Sequence, residues 1–129
     1  MLVLLAALFA GATGIFMAAR AELRIGIAHA ASSRAFYLAE AGLATWLAGP
    51  VYPSTAVYPI GGDPVSVEAH RLLRVDSVTV LYDLESSARV GSGGGDPGTA
   101  ARRTRLLARR TGAGLMVPVS HSWREVVRP

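Results

Sequence analysis

The chain contains no cysteine, which excludes disulfide staples, thiolate zinc sites and thiol nucleophiles while leaving the redox compartment open. Lysine is also missing, so all 13 basic residues are arginine. Histidine is limited to His29, His70 and His121, scattered without the paired spacing of metal ligands. The most informative absence is of charge: residues 1–19 carry no charged side chain at all. The formal net charge of +4 says more about surface and solubility than about a nucleic-acid groove.

The uncharged run passes into an amphipathic one, and a single helical pattern extends to Gly49. Such a helix would be a rod of roughly 70 Å at 1.5 Å per residue, longer than a 129-residue chain can bury in one globular unit. Helices beyond about 25 residues without internal caps belong to coiled coils, membrane spans or helical assemblies. The apolar half alone measures ~28 Å against a hydrocarbon core of about 30 Å. Residues 1–49 are therefore expected to form one helix, with 1–19 crossing a membrane. A cleaved export signal fits less well: no Lys or Arg precedes the run, and Ala18-Ala19-Arg20-Ala21-Glu22-Leu23 continues as helix without a small-x-small cleavage site.

Beyond the span, Ile27, Ala31, Ala35, Leu38, Gly42 and Trp46 recur at intervals of three and four, and Phe36, Ala39, Leu43 and Leu47 widen the stripe. Gly49-Pro50 is the stop signal. The spaced pair Glu22-Leu23-Arg24 and Ala35-Phe36-Tyr37-Leu38-Ala39-Glu40-Ala41-Gly42-Leu43 resembles the helix signature of type IV pilin-like proteins of the PilX minor-pilin type. The likeness covers the first third of the chain.

That resemblance implies an α+β, pilin-like fold, in which the second half of the helix packs on a small antiparallel β-sheet. It implies a structural, non-catalytic subunit, a minor pilin or pseudopilin of a type IV pilus or a type II secretion-like filament. Its partners would be other pilin subunits, the membrane, prepilin peptidase and the pilus assembly machinery with its ATPases. The protein would sit as a single-pass protein in the inner membrane, head outside the cytoplasm, and then enter a cell-surface or periplasmic filament; methylation belongs to the same pattern. Family members begin with a basic leader ending in Gly, so the true start is expected upstream of Met1. A basic leader would also reverse the orientation that Arg20, Arg24 and Arg34 imply when the positive-inside rule is taken literally. The residues expected to serve helix packing and assembly are Ala10, Gly11, Gly14, Glu22, Arg24, Phe36, Glu40 and Gly42. Small residues let helices approach closely, and Gly11 and Gly14 weaken the helix by about 1 kcal/mol each, so local irregularity is expected there. Without the motif block, the same residues read as an ordinary single-pass anchor, and Glu40 as a solvated carboxylate.

Residues 50–64 hold four prolines and read as a linker, leaving 65–129 as an antiparallel β head. Within it, Ser77–Val90 alternates Val78, Val80, Tyr82, Leu84, Ala88 and Val90 onto one face, with Ser86 the only polar member. Val78, Val80, Tyr82 and Leu84 are expected to bury against Ala35, Leu38, Gly42 and Trp46. Val65–Leu73 reads as a weaker strand before a turn at Arg74-Val75-Asp76. Thr99–Thr111 fits helix or strand on its own. The pilin-like pattern of Ser86-Ser87-Ala88-Arg89 followed by Arg103-Thr104-Arg105-Leu106 favours strand, although Ala88 stands where that family often has glycine. A last strand is expected within Leu115–Val127, giving three or four strands that need the helix to complete a core.

Gly93-Gly94-Gly95-Asp96-Pro97-Gly98 satisfies G-x-G-x-x-G literally, but a dinucleotide site needs that turn inside a parallel βαβ unit; a loop with a hairpin tip at Pro97-Gly98 is expected. No serine sits in a nucleophile elbow, and Asp83 and Glu85, on one strand face, read as an exposed pair rather than a catalytic one. No catalytic, cofactor-binding or metal residue is assigned. Arg102, Arg103, Arg105, Arg109 and Arg110 place five positive charges in nine residues. A solvated sheet edge is the plainest reading; contact with acidic neighbours and polyanion binding are the others. The alternative function is thus a membrane-tethered module that binds DNA or another polyanion through these arginines. No aromatic residue interleaves with them, which argues against a single-strand stacking platform.

Overall fold

The architecture is that of a computed structural model, which describes residues 2–91 and 97–126. Helix α1 spans Leu2–Ala48, 47 residues without interruption. It runs unbroken through Gly11 and Gly14, where irregularity is expected from sequence. The flanking Ala, Leu and Phe residues sustain the backbone ladder, and Thr13 Oγ1 adds a bond to the Phe9 carbonyl at 2.7 Å. At the far end the Gly49 N–H bonds the Trp46 carbonyl and Pro50 prevents continuation.

Six antiparallel strands follow: β1 (Thr55–Ile60), β2 (Asp63–Arg74), β3 (Thr79–Val90), β4 (Ala100–Thr111), β5 (Met116–Pro118) and β6 (Arg124–Glu125). They form one sheet in the order β1-β2-β3-β4-β5, with β6 also on β4. The fold is α+β: one long apolar helix with an antiparallel sheet packed on its second half. The sheet is larger than three or four strands for two reasons. The Pro-rich segment 50–64 is not wholly a linker, because Thr55–Ile60 pairs with β2 as an edge strand, where proline is tolerated. Gly61 and Gly62, both at positive φ (60° and 88°), make the two-residue turn into β2, a geometry favoured in hairpins. At the other edge, two short strands replace the single one expected within Leu115–Val127, of which Val127 lies outside the described residues. Between them Ser122 takes a strand's place, accepting the Leu107 N–H at 3.2 Å and donating to the Val119 carbonyl.

The alternation expected for β3 holds, but the covered stretch is displaced. Leu84, Ser86, Ala88 and Val90 are buried, Val80 and Tyr82 are half-buried, and Val78 is 54% exposed. Strand β3 runs against the helix direction. Ala88 and Val90 lie with Ala35, Leu38 and Ala39, while Leu84 lies with Leu43 and Trp46. Val78 precedes β3 and falls past the point where the helix stops, so the helix does not cover it. The turn before β3 is held by Asp76, whose Oδ1 accepts the N–H groups of Val78 (2.8 Å) and Thr79 (2.7 Å). These bonds favour the ionised form and hold the Asp76 carboxyl below its ordinary value of 3.8.

The connection 49–54 is tied down rather than free. Trp46 Nε1 donates to the Pro53 carbonyl, Tyr52 stacks at a tilt on Trp46 with ring centroids 5.0 Å apart, and the Tyr52 hydroxyl accepts the Met116 N–H.

Candidate assembly interface

The helix divides into two parts with different surroundings. From Ala31 onward it is covered on one side by the sheet, whereas residues 3–30 are exposed without exception, about 42 Å of bare rod. Large apolar side chains stand uncovered along it, among them Phe9 (71% exposed), Phe16 (66%) and Leu23 (64%). It is one helix long and apolar enough to cross a membrane. Of the residues expected to serve assembly, Ala10, Gly11, Gly14, Glu22 and Arg24 all lie on this rod and are exposed. A Cβ on Gly11 or Gly14 would meet nothing within 4 Å.

The other three lie where the helix meets its own sheet. Gly42 is buried beneath β2 and β3, and a Cβ there would lie 2.5 Å from Val65 Cγ1 and 2.8 Å from Ser86 Oγ. Its role within the subunit is thus close approach of helix and sheet. Phe36 is half-buried, its ring edge-on to Tyr37 at 5.8 Å. Glu40 is half-buried and has no hydrogen bond or ion pair among the described residues.

The five arginines of β4 do not form one free patch. Arg103 and Arg105 point away from the helix, as do Asp83 and Glu85 on β3, and the four interlock. Arg103 Nη1 bonds Glu85 Oε1 at 3.0 Å; Arg105 Nη2 lies 3.4 Å from Asp83 Oδ2. Arg105 Nε is 3.1 Å from Glu85 Oε2, close enough for ion pairing but without hydrogen-bond alignment. Arg102 reaches the helix instead, donating to Ser32 Oγ through Nε and pairing with Glu125 at 3.3 Å. Arg110 donates to the Gly114 carbonyl and lies over the Tyr52 ring, 5.3 Å from its centroid. Arg109 alone of the five has no hydrogen bond or ion pair among the described residues. Four of the five are engaged within the molecule, and three of them, Arg102, Arg103 and Arg105, are paired with carboxylates.

The outer sheet face brings other polar groups together. Ser66 and Ser87 hydroxyls bond each other at 2.7 Å rather than an imidazole, and His70 Nε2 lies 3.4 Å from Glu68 Oε2 in full view of solvent. Among the described residues no group of three or more His, Asp or Glu is placed to hold a metal ion. In the G-x-G-x-x-G stretch, residues 93–96 lie outside the described residues; Pro97 and Gly98 form a turn.

Two contacts escape sequence reading. Arg34 Nη2 bonds Asp63 Oδ2 at 2.7 Å and the Gly61 carbonyl at 3.2 Å, clamping the β1–β2 turn to the helix. Tyr52 joins Trp46, Arg110 and Met116 at the helix end. The signals available were Gly61-Gly62 as a hairpin pair and an aromatic within a proline-rich stretch. Comparison with known proteins finds no matching family model, no matching curated protein and no matching solved structure.

Proposed function

We propose that this protein is a structural, non-catalytic subunit of a pilus-like or secretion-type filament, a minor pilin or pseudopilin, held in a membrane by its helix before assembly. The observation that carries the reading is the rod at residues 3–30, apolar over its first half and bare on every side, continuous with the helix that supports the head. A side chain as apolar as Phe9 or Phe16 requires either lipid or protein around it, and a filament core made from neighbouring helices supplies the second as the membrane supplies the first. The head stands outside the cytoplasm in this reading, and processing by prepilin peptidase and assembly by partner ATPases follow from the resemblance in the helix motif.

The test is expression of the full-length gene followed by recovery of sheared surface filaments. Wild-type protein is expected in them. Ala10→Arg places a charge in mid-span, at ~2.5–3.5 kcal/mol on insertion scales, and is expected to abolish incorporation. Arg103→Ala with Arg105→Ala is expected to leave insertion intact. Protein that stays in the membrane fraction while its head binds DNA tightly and salt-sensitively would favour the polyanion-binding module instead.

A further inference from the structure

The bare helix carries three charges just beyond its apolar run, Arg20, Glu22 and Arg24, all exposed. At about 100° per residue, Arg24 lies only about 40° around the helix from Arg20, whereas Glu22 lies about 200° away, on the opposite side. Residues two apart on a helix do not face each other, and like charges four apart repel. The three therefore cannot satisfy one another within one molecule, and none has a hydrogen bond or ion pair among the described residues. Bulky apolar side chains stand on both faces, Phe9 and Ile27 near the arginines, Leu4 and Ile15 within about 20° of Glu22, all exposed, so charge is what distinguishes the two faces.

Resting on the filament-subunit reading, we infer that the occupant of the arginine face is the Glu22 face of a second copy, in a parallel, side-by-side contact between unlike faces. The carboxylate of Glu22 seats between Arg20 and Arg24 of the neighbour. Such a contact is heterologous. Each copy keeps one unlike face free, so association passes from copy to copy instead of stopping at a two-fold dimer. The charges fix which faces meet and exclude the arginine-to-arginine alternative. Their position beyond the apolar run puts the pair outside the hydrocarbon, where guanidinium and carboxylate can meet without the cost of burial in lipid.

The absence of native cysteine makes this directly testable in membranes from cells expressing the full chain. Ile27 lies near the arginine face and His29 near the Glu22 face, about 160° apart on the α-helical wheel. Ile27→Cys and His29→Cys are made separately, and a short bismaleimide is applied to each alone and to both co-expressed. The expected result is a covalent dimer from the co-expressed pair, at least tenfold above either variant alone. Glu22→Arg is expected to reduce that yield tenfold or more, as is Arg20→Glu with Arg24→Glu. The triple reversal, carrying all three changes, is expected to restore it. Homodimers from either variant alone at the mixed yield, or charge reversals without effect, would overturn the inference. Filaments that contain the protein but give no 27–29 cross-link would overturn it while leaving the filament reading standing. A 27–29 cross-link in membranes with no entry into filaments would uphold the contact and remove the filament reading.

Discussion

Gly42 and Val65 meet at a close approach of helix and sheet: a Cβ on the glycine would lie 2.5 Å from Val65 Cγ1. Valine is stiff about χ1, and Val65 is fully buried, so it cannot yield without disturbing its neighbours. Gly42→Ala is therefore expected to destabilise the protein, because overpacking of ~1–3 kcal/mol exceeds the ~1 kcal/mol gained from helix propensity. Gly26→Ala, with nothing within 4 Å of its added Cβ, is expected to act in the opposite sense by about 1 kcal/mol. Urea unfolding in detergent, followed by the fluorescence of buried Trp46, measures both. Equal effects of the two substitutions would remove the close-approach explanation.

The ion cluster of Asp83, Glu85, Arg103 and Arg105 makes a second prediction. Replacing both arginines by alanine leaves two carboxylates on β3, with side chains 13% and 20% exposed, without their partners. A loss of roughly 1 kcal/mol is expected, smaller at high ionic strength. Asp83→Asn with Glu85→Gln does the reverse and releases two arginines toward solvent. Heparin and DNA affinity is expected to rise, with a steeper dependence on salt. Retention on a heparin column unchanged by that double substitution would mean that the carboxylates do not restrain the arginines.

Acid is expected to loosen the β2–β3 turn. The Asp76 carboxyl is held below its ordinary value by the backbone N–H groups of Val78 and Thr79. A carboxyl lowered in the folded state contributes stability above its unfolded value, and that contribution is lost as pH falls through the folded value. Amide exchange at Val78 and Thr79 is expected to accelerate as pH drops from the ordinary value of 3.8 downward, after correction for the intrinsic pH dependence of exchange. Asp76→Asn should flatten that response, and a turn equally protected at every acidic pH would contradict the assignment.

What was legible in the sequence was periodic. The helix could be read from Met1 to Gly49 because the apolar stripe and the Gly-Pro stop lie within one continuous segment. The parity of β3 could be read because side chains alternate with a period of two, whatever covers them. Strand β1 was hidden by Pro59 and the prolines around it, which deny a central strand but not an edge one. The exposure of Val78 was also hidden, because the length of β3 that is buried depends on where the helix above it ends.

Sequence alone determined an uncharged N-terminal run joined without a break to an amphipathic helix, and a strand-forming remainder that needs that helix for a core. These are local properties, set by the chemistry of neighbouring residues and by helical and strand periods. Only the tertiary structure decided which charges remain available. Arg103 and Arg105 are separated from Asp83 and Glu85 by a chain reversal, and register alone brings Glu85 opposite Arg105. Arg34 meets Asp63 only because the β1–β2 turn folds back onto the helix. Among the described residues, Arg20, Glu22 and Arg24 remain unmatched for the complementary reason: the sheet begins to cover the helix only at Ala31.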